Sequence, residues 1–166
     1  MPPILAALKG GTSMLQKLFA VTAILSVTAL HALADAVPKA GITMDDMAFL
    51  MSKHGLPTKI EKDSKGREII KSRVAGINFD VYFYNCENGR CRDIQFAAGW
   101  QLKAVSSDRI NAWNTEKRFL RVYWKPGNVM FAEHDLRVAE TTTENIDEAL
   151  ELWPALLEEF KEFMKL

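Results

Sequence analysis

The sequence is poor in the residues that metal and nucleophile chemistry draws on, with two cysteines and three histidines among 166 residues. Cys86 and Cys91 stand at C-x4-C, which is neither the C-x-x-C of redox motifs nor the usual zinc knuckle. A zinc site would need two further ligands, and past residue 34 only His54 and His134 could supply them. No G-x-S-x-G nucleophile elbow and no glycine-rich phosphate loop occurs. Ser106 and Ser107 sit where helix caps belong. The acidic pairs Asp45-Asp46 and Glu133/Asp135 are explained by a helix N-terminus and by one strand face. No catalytic residue, metal ligand or cofactor is therefore assigned, and a non-enzymatic protein is expected. Charge of one sign is missing too, since 21 basic residues balance 21 acidic ones. Nucleic acid calls for a basic surface, so it is not an expected partner.

Long apolar runs are equally scarce. The most apolar stretch, Leu18–Leu30, spans 13 residues, well short of the about 20 that a membrane-crossing helix needs. Its setting is that of a secretory signal: Lys9 and Lys17 precede it, and Ala32-Leu33-Ala34 follows as an A-x-A cleavage site. A signal peptide over 1–34 is expected, cut after Ala34 or alternatively after Ala36, in a chain that starts at Met1 or at Met14. An uncleaved N-terminal anchor is the competing reading. Export places the mature chain in the bacterial periplasm or outside the cell, free of the membrane once cleaved. Disulfides persist in such compartments. Loss of 1–34 removes two of the 21 basic residues and no acidic one, leaving 132 residues of formal charge −2. That length builds one domain, 35–166, with a core of its own.

What the chain does hold is concentrated in Ile77–Trp100, the densest aromatic block and the home of both cysteines. Asn88-Gly89 lies between two alternating runs, the strongest short-range hairpin signal, because a type I′ turn needs positive φ at both central residues. A two-residue turn there pairs Glu87 with Arg90 and Cys86 with Cys91. It then sets Phe83 opposite Ile94, Val81 opposite Phe96 and Phe79 opposite Ala98 on one face. The other face carries Tyr84–Asp93, Tyr82–Gln95 and Asp80–Ala97. Turn chemistry and hydrophobic pattern agree on this single register. Cys86 and Cys91 then form a non-hydrogen-bonded pair with Cα atoms roughly 4.5 Å apart, within reach of a disulfide. A structural disulfide is expected. An idle thiol pair and an active one are the alternatives.

Elsewhere Thr43 is a plausible N-cap, followed by Asp45, Asp46 and a stripe of Met44, Met47, Leu50 and Met51, with Gly55 and Pro57 ending the helix. Such methionines suit a core or an adaptable binding surface. His54 stands beside the helix's C-terminal carbonyls. Thr58–Lys62 and Arg67–Val74 read as strands around Asp63-Ser64-Lys65-Gly66. Ser106, Ser107 and Asp108 offer caps for a short helix holding Ile110 and Trp113. Arg118–Lys125 and Val129–Val138 form a second hairpin across Pro126-Gly127-Asn128, pairing Trp124–Met130, Val122–Ala132 and Leu120–His134, with Arg121–Glu133 on the opposite face. His134 falls on the apolar face as a core histidine. Thr143-Glu144 opens a long helix whose stripe runs Ile146, Ala149, Leu150, Trp153, Leu156, Leu157, Phe160 and Met164. Pro154 is expected to kink or split it near Leu150–Trp153. The class is α+β: one twisted, mainly antiparallel sheet with an N-terminal helix, a short middle helix and a long C-terminal helix.

Tyr82 and Tyr84 share the face opposite the strongest apolar pairs, where a helix covers them or they form an exposed patch. Tyrosine joins a large apolar area to a polar handle, so these two residues are the candidate partner surface.

Four features stand in order: Cys86-Glu87-Asn88-Gly89-Arg90-Cys91, Ile94-Gln95-Phe96-Ala97-Ala98-Gly99-Trp100, Ile110-Asn111-Ala112-Trp113-Asn114, and Arg118-Phe119 leading into Val122-Tyr123. With the helix around Trp153 they resemble the YbjN-like family of bacterial proteins, labelled sensory transduction regulators, over roughly 43–165. The resemblance implies a fold like that of the type III secretion chaperones, which are dimers that bind an extended partner chain. It supplies no reaction, ligand or catalytic residue. Many relatives lack an export signal, so the leader here is a departure from the family. The expected function is an exported, non-enzymatic domain binding a protein or peptide partner, with a homodimer as one form, in a regulatory or chaperone-like role. The alternative is an envelope sensor of a small molecule or redox state that uses Cys86 and Cys91.

Overall fold

The computed structural model describes residues 35–104 and 106–166, so the expected signal peptide lies outside the described residues. Asn88 and Gly89 take φ of 50° and 78°, the left-handed pair a type I′ turn requires. The turn joins β3 (Ile77–Glu87) to β4 (Arg90–Gln101). Their register is the one that turn dictates: Glu87 opposite Arg90, Cys86 opposite Cys91, Phe83 opposite Ile94, Val81 opposite Phe96, Phe79 opposite Ala98. One feature was not legible. Asn85 sits at φ 53° inside β3, and the ladder skips the pair it would make with Arg92.

Before this hairpin come α1 (Met44–Lys53), β1 (Lys59–Lys62) and β2 (Glu68–Val74). After it come α2 (Ser107–Glu116), β5 (Arg121–Lys125), β6 (Val129–Arg137) and α3 (Thr143–Met164). The six strands form one sheet in the order β1-β2-β3-β4-β6-β5, every neighbouring pair antiparallel. Ile70, Phe79, Val81, Ile94, Phe96, Ala98, Val122, Met130 and Ala132 line its inner face. They share one core with Met47, Leu50 and Met51 of α1, Ile110 and Trp113 of α2, and the whole stripe of α3. The methionines of α1 are thus core residues. Trp153 is fully buried and lies 5.7 Å from the ring of Phe79 and 5.5 Å from that of Phe96.

The local signals at the helix starts are kept with one exception. Thr43 Oγ1 accepts from the Asp46 N–H at 3.0 Å while Asp46 Oδ2 accepts from the Thr43 N–H at 2.9 Å, a reciprocal capping box. Thr142 caps α3 through the Asn145 N–H. Ser106 occupies the N-cap of α2, yet its hydroxyl makes no cap bond.

Three expectations are corrected. Pro154 does not split α3, which runs unbroken over 22 residues. An interior proline costs about 3 kcal/mol, whereas each large apolar side chain removed from water contributes roughly 1.5–3 kcal/mol. Eight residues of α3 are buried on both sides of the proline, so packing outweighs it. Strand β5 begins at Arg121 rather than Arg118, because Phe119 turns out of the sheet at φ 66°. The Leu120–His134 pair is lost with it, though Val122–Ala132 and Trp124–Met130 form as expected. At His54 only the side chain departs from expectation, since the backbone N–H bonds the helix-end carbonyl of Met51 at 3.1 Å. The ring Nε2 lies 2.8 Å from the Asp147 carboxylate and ties α1 to α3.

Candidate functional site on the outer face of the sheet

Alternation along the strands decides which side chains reach the face that none of the described helices packs against. The ladder sets Lys71, Asp80, Ala97, Glu133 and Arg121 in one row across five strands, and Tyr82, Gln95 and Asp135 in the next. Glu133 is only 6% exposed, and a buried carboxylate needs partners. It accepts from Arg121 Nη2 and the Tyr123 hydroxyl, each at 2.5 Å, and from Gln95 Nε2 at 3.3 Å. Gln95 Nε2 also donates to Asp135 Oδ1 at 2.7 Å, and Gln95 Oε1 accepts from the Tyr84 hydroxyl at 3.1 Å. The Tyr82 hydroxyl donates to Asp80, which also pairs with Lys71. Tyr123 stacks on Phe131, and Lys125 Nζ lies 4.2 Å from the Phe131 ring centre.

Tyr84, singled out by register, is thus joined to Gln95, Glu133 and Tyr123 in one network, while Tyr82 bonds separately to the Asp80–Lys71 pair on the same face. Tyr84 is 36% exposed and Tyr82 half-buried; none of the described helices lies over them, so among the described residues they form the exposed patch. A cavity of about 390 Å³ opens here between the β1–β2 turn and Lys125 of β5. In a flat sheet five strand spacings of ~4.8 Å would hold those edges roughly 24 Å apart. Lys125 and the β1–β2 turn nonetheless line one cavity, which makes this part of the outer face a groove.

Burial, then the Asp80 carboxylate, pushes the Tyr82 phenol up to about 12. Burial likewise raises Tyr84. Burial and the hydrogen bond to Glu133 hold Tyr123 well above the usual phenol range, and that same carboxylate raises Arg121. Acid–base catalysis works best with a pKa near the working pH. These shifts lead away from it, so the phenols serve as neutral hydrogen-bonding groups with fixed directions.

The other candidates fall elsewhere. Cys86 and Cys91 are joined by a disulfide at the hairpin tip, Cα atoms 4.0 Å apart. Cys91 exchanges both backbone hydrogen bonds with Ile42, at 2.8 and 3.1 Å, in the lane that β6 vacates. A Cβ on Gly41 would lie 1.8 Å from the Cys91 carbonyl oxygen, so only glycine permits that approach. His134 is buried against Phe96, with Nδ1 2.6 Å from the Phe119 carbonyl oxygen; its donor is satisfied and its tautomer set. Among the described residues no group of three or more His, Cys, Asp or Glu side chains is placed to hold a metal ion. None of their helices is long and apolar enough to cross a membrane.

Two features escaped the sequence. Glu133 and Tyr123 become neighbours of Tyr84 only once β4 and β6 are known to be adjacent, with Arg121 opposite Glu133 as the visible signal, whereas Gln95 opposite Tyr82 was readable from the central hairpin. Phe119 carried no sign of a left-handed backbone. The YbjN family, described as "Putative bacterial sensory transduction regulator", matches residues 43–165, from the N-cap of α1 to the end of α3. No curated protein matches the chain. With the family pattern spanning nearly every element of the described fold, the chain belongs to the YbjN family.

Proposed function

We propose that the protein is an exported, non-enzymatic YbjN domain that binds a protein or peptide partner in a regulatory or chaperone-like role. The partner lies in the groove on the outer face of the sheet. The observation that carries this reading is the groove itself, left uncovered by the described helices, in which the Tyr82 and Tyr84 hydroxyls are held by Asp80 and Gln95. Preorganised aromatic groups with polar ends lose little entropy on binding and are enriched at interfaces. Export rests on the leader pattern at 1–34, and the Cys86–Cys91 bond is in keeping with an oxidising compartment. A second copy of the chain is one form such a partner takes.

The test is a pull-down from periplasmic extract with the parent and with Tyr84→Ala. A specific partner recovered by the parent and lost from the variant is expected. A clean monomer that recovers nothing above background sinks the reading.

A second reading, a redox sensor, draws on the backbone exchange between Cys91 and Ile42. It links the hairpin tip to the residue next to the Thr43 cap of α1. On this reading reduction loosens the start of α1. A Cys86→Ser, Cys91→Ser variant that behaves like the parent in both oxidising and reducing buffer removes it.

A further inference from the structure

The geometry points to an extended acidic peptide segment as the occupant of the outer groove; the inference rests on the outer face being the binding surface. The carboxylates on that face are already answered. Glu133 and Asp135 share Arg121 and take further hydrogen bonds from Tyr123 and Gln95, Asp80 has Lys71, and Asp93 has Arg137. Asp63 is held by both the Nε and Nη2 of Arg67. The cations are not all answered. Lys62 at the end of β1, Lys65 on the β1–β2 turn and Lys125 on β5 line the cavity, are exposed, and make no ion pair among the described residues. Lys125 instead rests its ammonium on the Phe131 and Tyr123 rings.

The unneutralised charge of the groove is therefore positive, in a mature chain of formal charge −2 overall, so an anionic partner is drawn to this face. Two arguments choose its form. The free cations stand on opposite edges of the sheet with the tyrosine floor between them. A ligand that reaches both must span the face, as an extended chain does. Phosphate recognition favours the planar fork of arginine, and the one arginine lining this cavity has its fork spent on Asp63 while its guanidinium lies 5.5 Å from the Tyr82 ring centre. Lysine point charges remain, which suit the carboxylates of a peptide.

The probe is a short fluorescein-labelled peptide of alternating Glu and Ser, set against its Gln/Ser counterpart and against competition by inorganic phosphate at matched ionic strength. Anisotropy is followed with the parent, with a Lys62→Glu, Lys125→Glu variant and with Tyr84→Ala. The Glu peptide is expected to bind and the Gln peptide to bind at least about tenfold more weakly. The lysine reversal is expected to lower affinity about tenfold, the scale of a few exposed ion pairs acting together. Added salt weakens binding as screening demands, and phosphate competes no better than chloride. If the Gln peptide binds as well as the Glu peptide and the lysine reversal changes nothing, the acidic preference is overturned. A loss on Tyr84→Ala in that same experiment keeps the groove as a peptide site. If phosphate displaces the peptide efficiently, the site is a phosphate site instead. If neither peptide binds, and a partner recovered from the extract is indifferent to all three substitutions, the outer-face reading falls together with this inference.

Discussion

Glu133 is the residue whose surroundings say most about how the outer face holds together. At 6% exposure its carboxylate is met by three donors from two strands, Gln95 of β4 and Arg121 and Tyr123 of β5. The tyrosines around it give the first prediction. The folded state binds the Tyr82 proton more tightly than the unfolded chain, about 12 against 10.0. A raised folded pKa contributes stability that is fully present below pH 10 and is lost as pH rises through the folded value. All three tyrosines of the chain, Tyr82, Tyr84 and Tyr123, are shifted the same way. Absorbance titration is therefore expected to show no phenolate step at pH 10, followed by a rise that accompanies alkaline unfolding. A third of the signal titrating normally would contradict it. At the other end of the pH scale, the backbone hydrogen bond from Thr43 holds Asp46 below its ordinary 3.8. Its contribution to the capping box is present above that value and fades as pH falls through the lower folded one. Thr43→Ala is expected to cost about 1 kcal/mol in urea unfolding at neutral pH. This cap was legible, because Thr followed by Asp before an apolar stripe is a local signal. The network around Glu133 was not, because its members come from different strands and only tertiary placement unites them.

Among the elements, the central hairpin was readable to the residue, since a two-residue turn leaves one register and the apolar pattern selects the same one. The second hairpin was readable only from Arg121 onward. No rule of composition foretells that Phe119 leaves the sheet at φ 66° to present its carbonyl to His134. Pro154 fails to split α3 for a related reason: its penalty is local, while the burial that offsets it is spread along the whole of α3. The disulfide closes a short loop, with a sequence separation of 5. On the chain-entropy account that amounts to about 2 kcal/mol. Cys86→Ser, Cys91→Ser is thus expected to lower stability by about that amount in denaturant and to leave the far-ultraviolet spectrum folded. Gly41→Ala should do more harm than the loss of the bridge. The new Cβ falls onto the Cys91 carbonyl and the residue sits at φ 88°, so residues 41–42 must leave β4 and take the Thr43 cap with them. A Gly41→Ala protein as stable as the parent would refute that account of how α1 is anchored.

At the scale of the whole molecule, α+β with one antiparallel sheet and a long final helix followed from the order of the elements. The strand order did not, because the adjacency of β4 and β6 is a matter of where the chain returns after α2. That return gives the protein two unlike faces: an inner one covered by three helices, and an outer one curled into a groove with an aromatic floor. Three aromatic side chains mark the surfaces a partner could cover. Phe49 on α1 is 65% exposed, Phe119 beside the His134 pocket 68%, and Tyr84 in the groove 36%. Hydroxyl-radical footprinting read by mass spectrometry reports all three in one experiment, with and without the partner recovered by pull-down. Protection of Tyr84, with Phe49 and Phe119 oxidised as before, is the predicted result. Protection of Phe49 or Phe119 with Tyr84 unchanged would contradict the central claim that the groove on the outer face is where this protein binds.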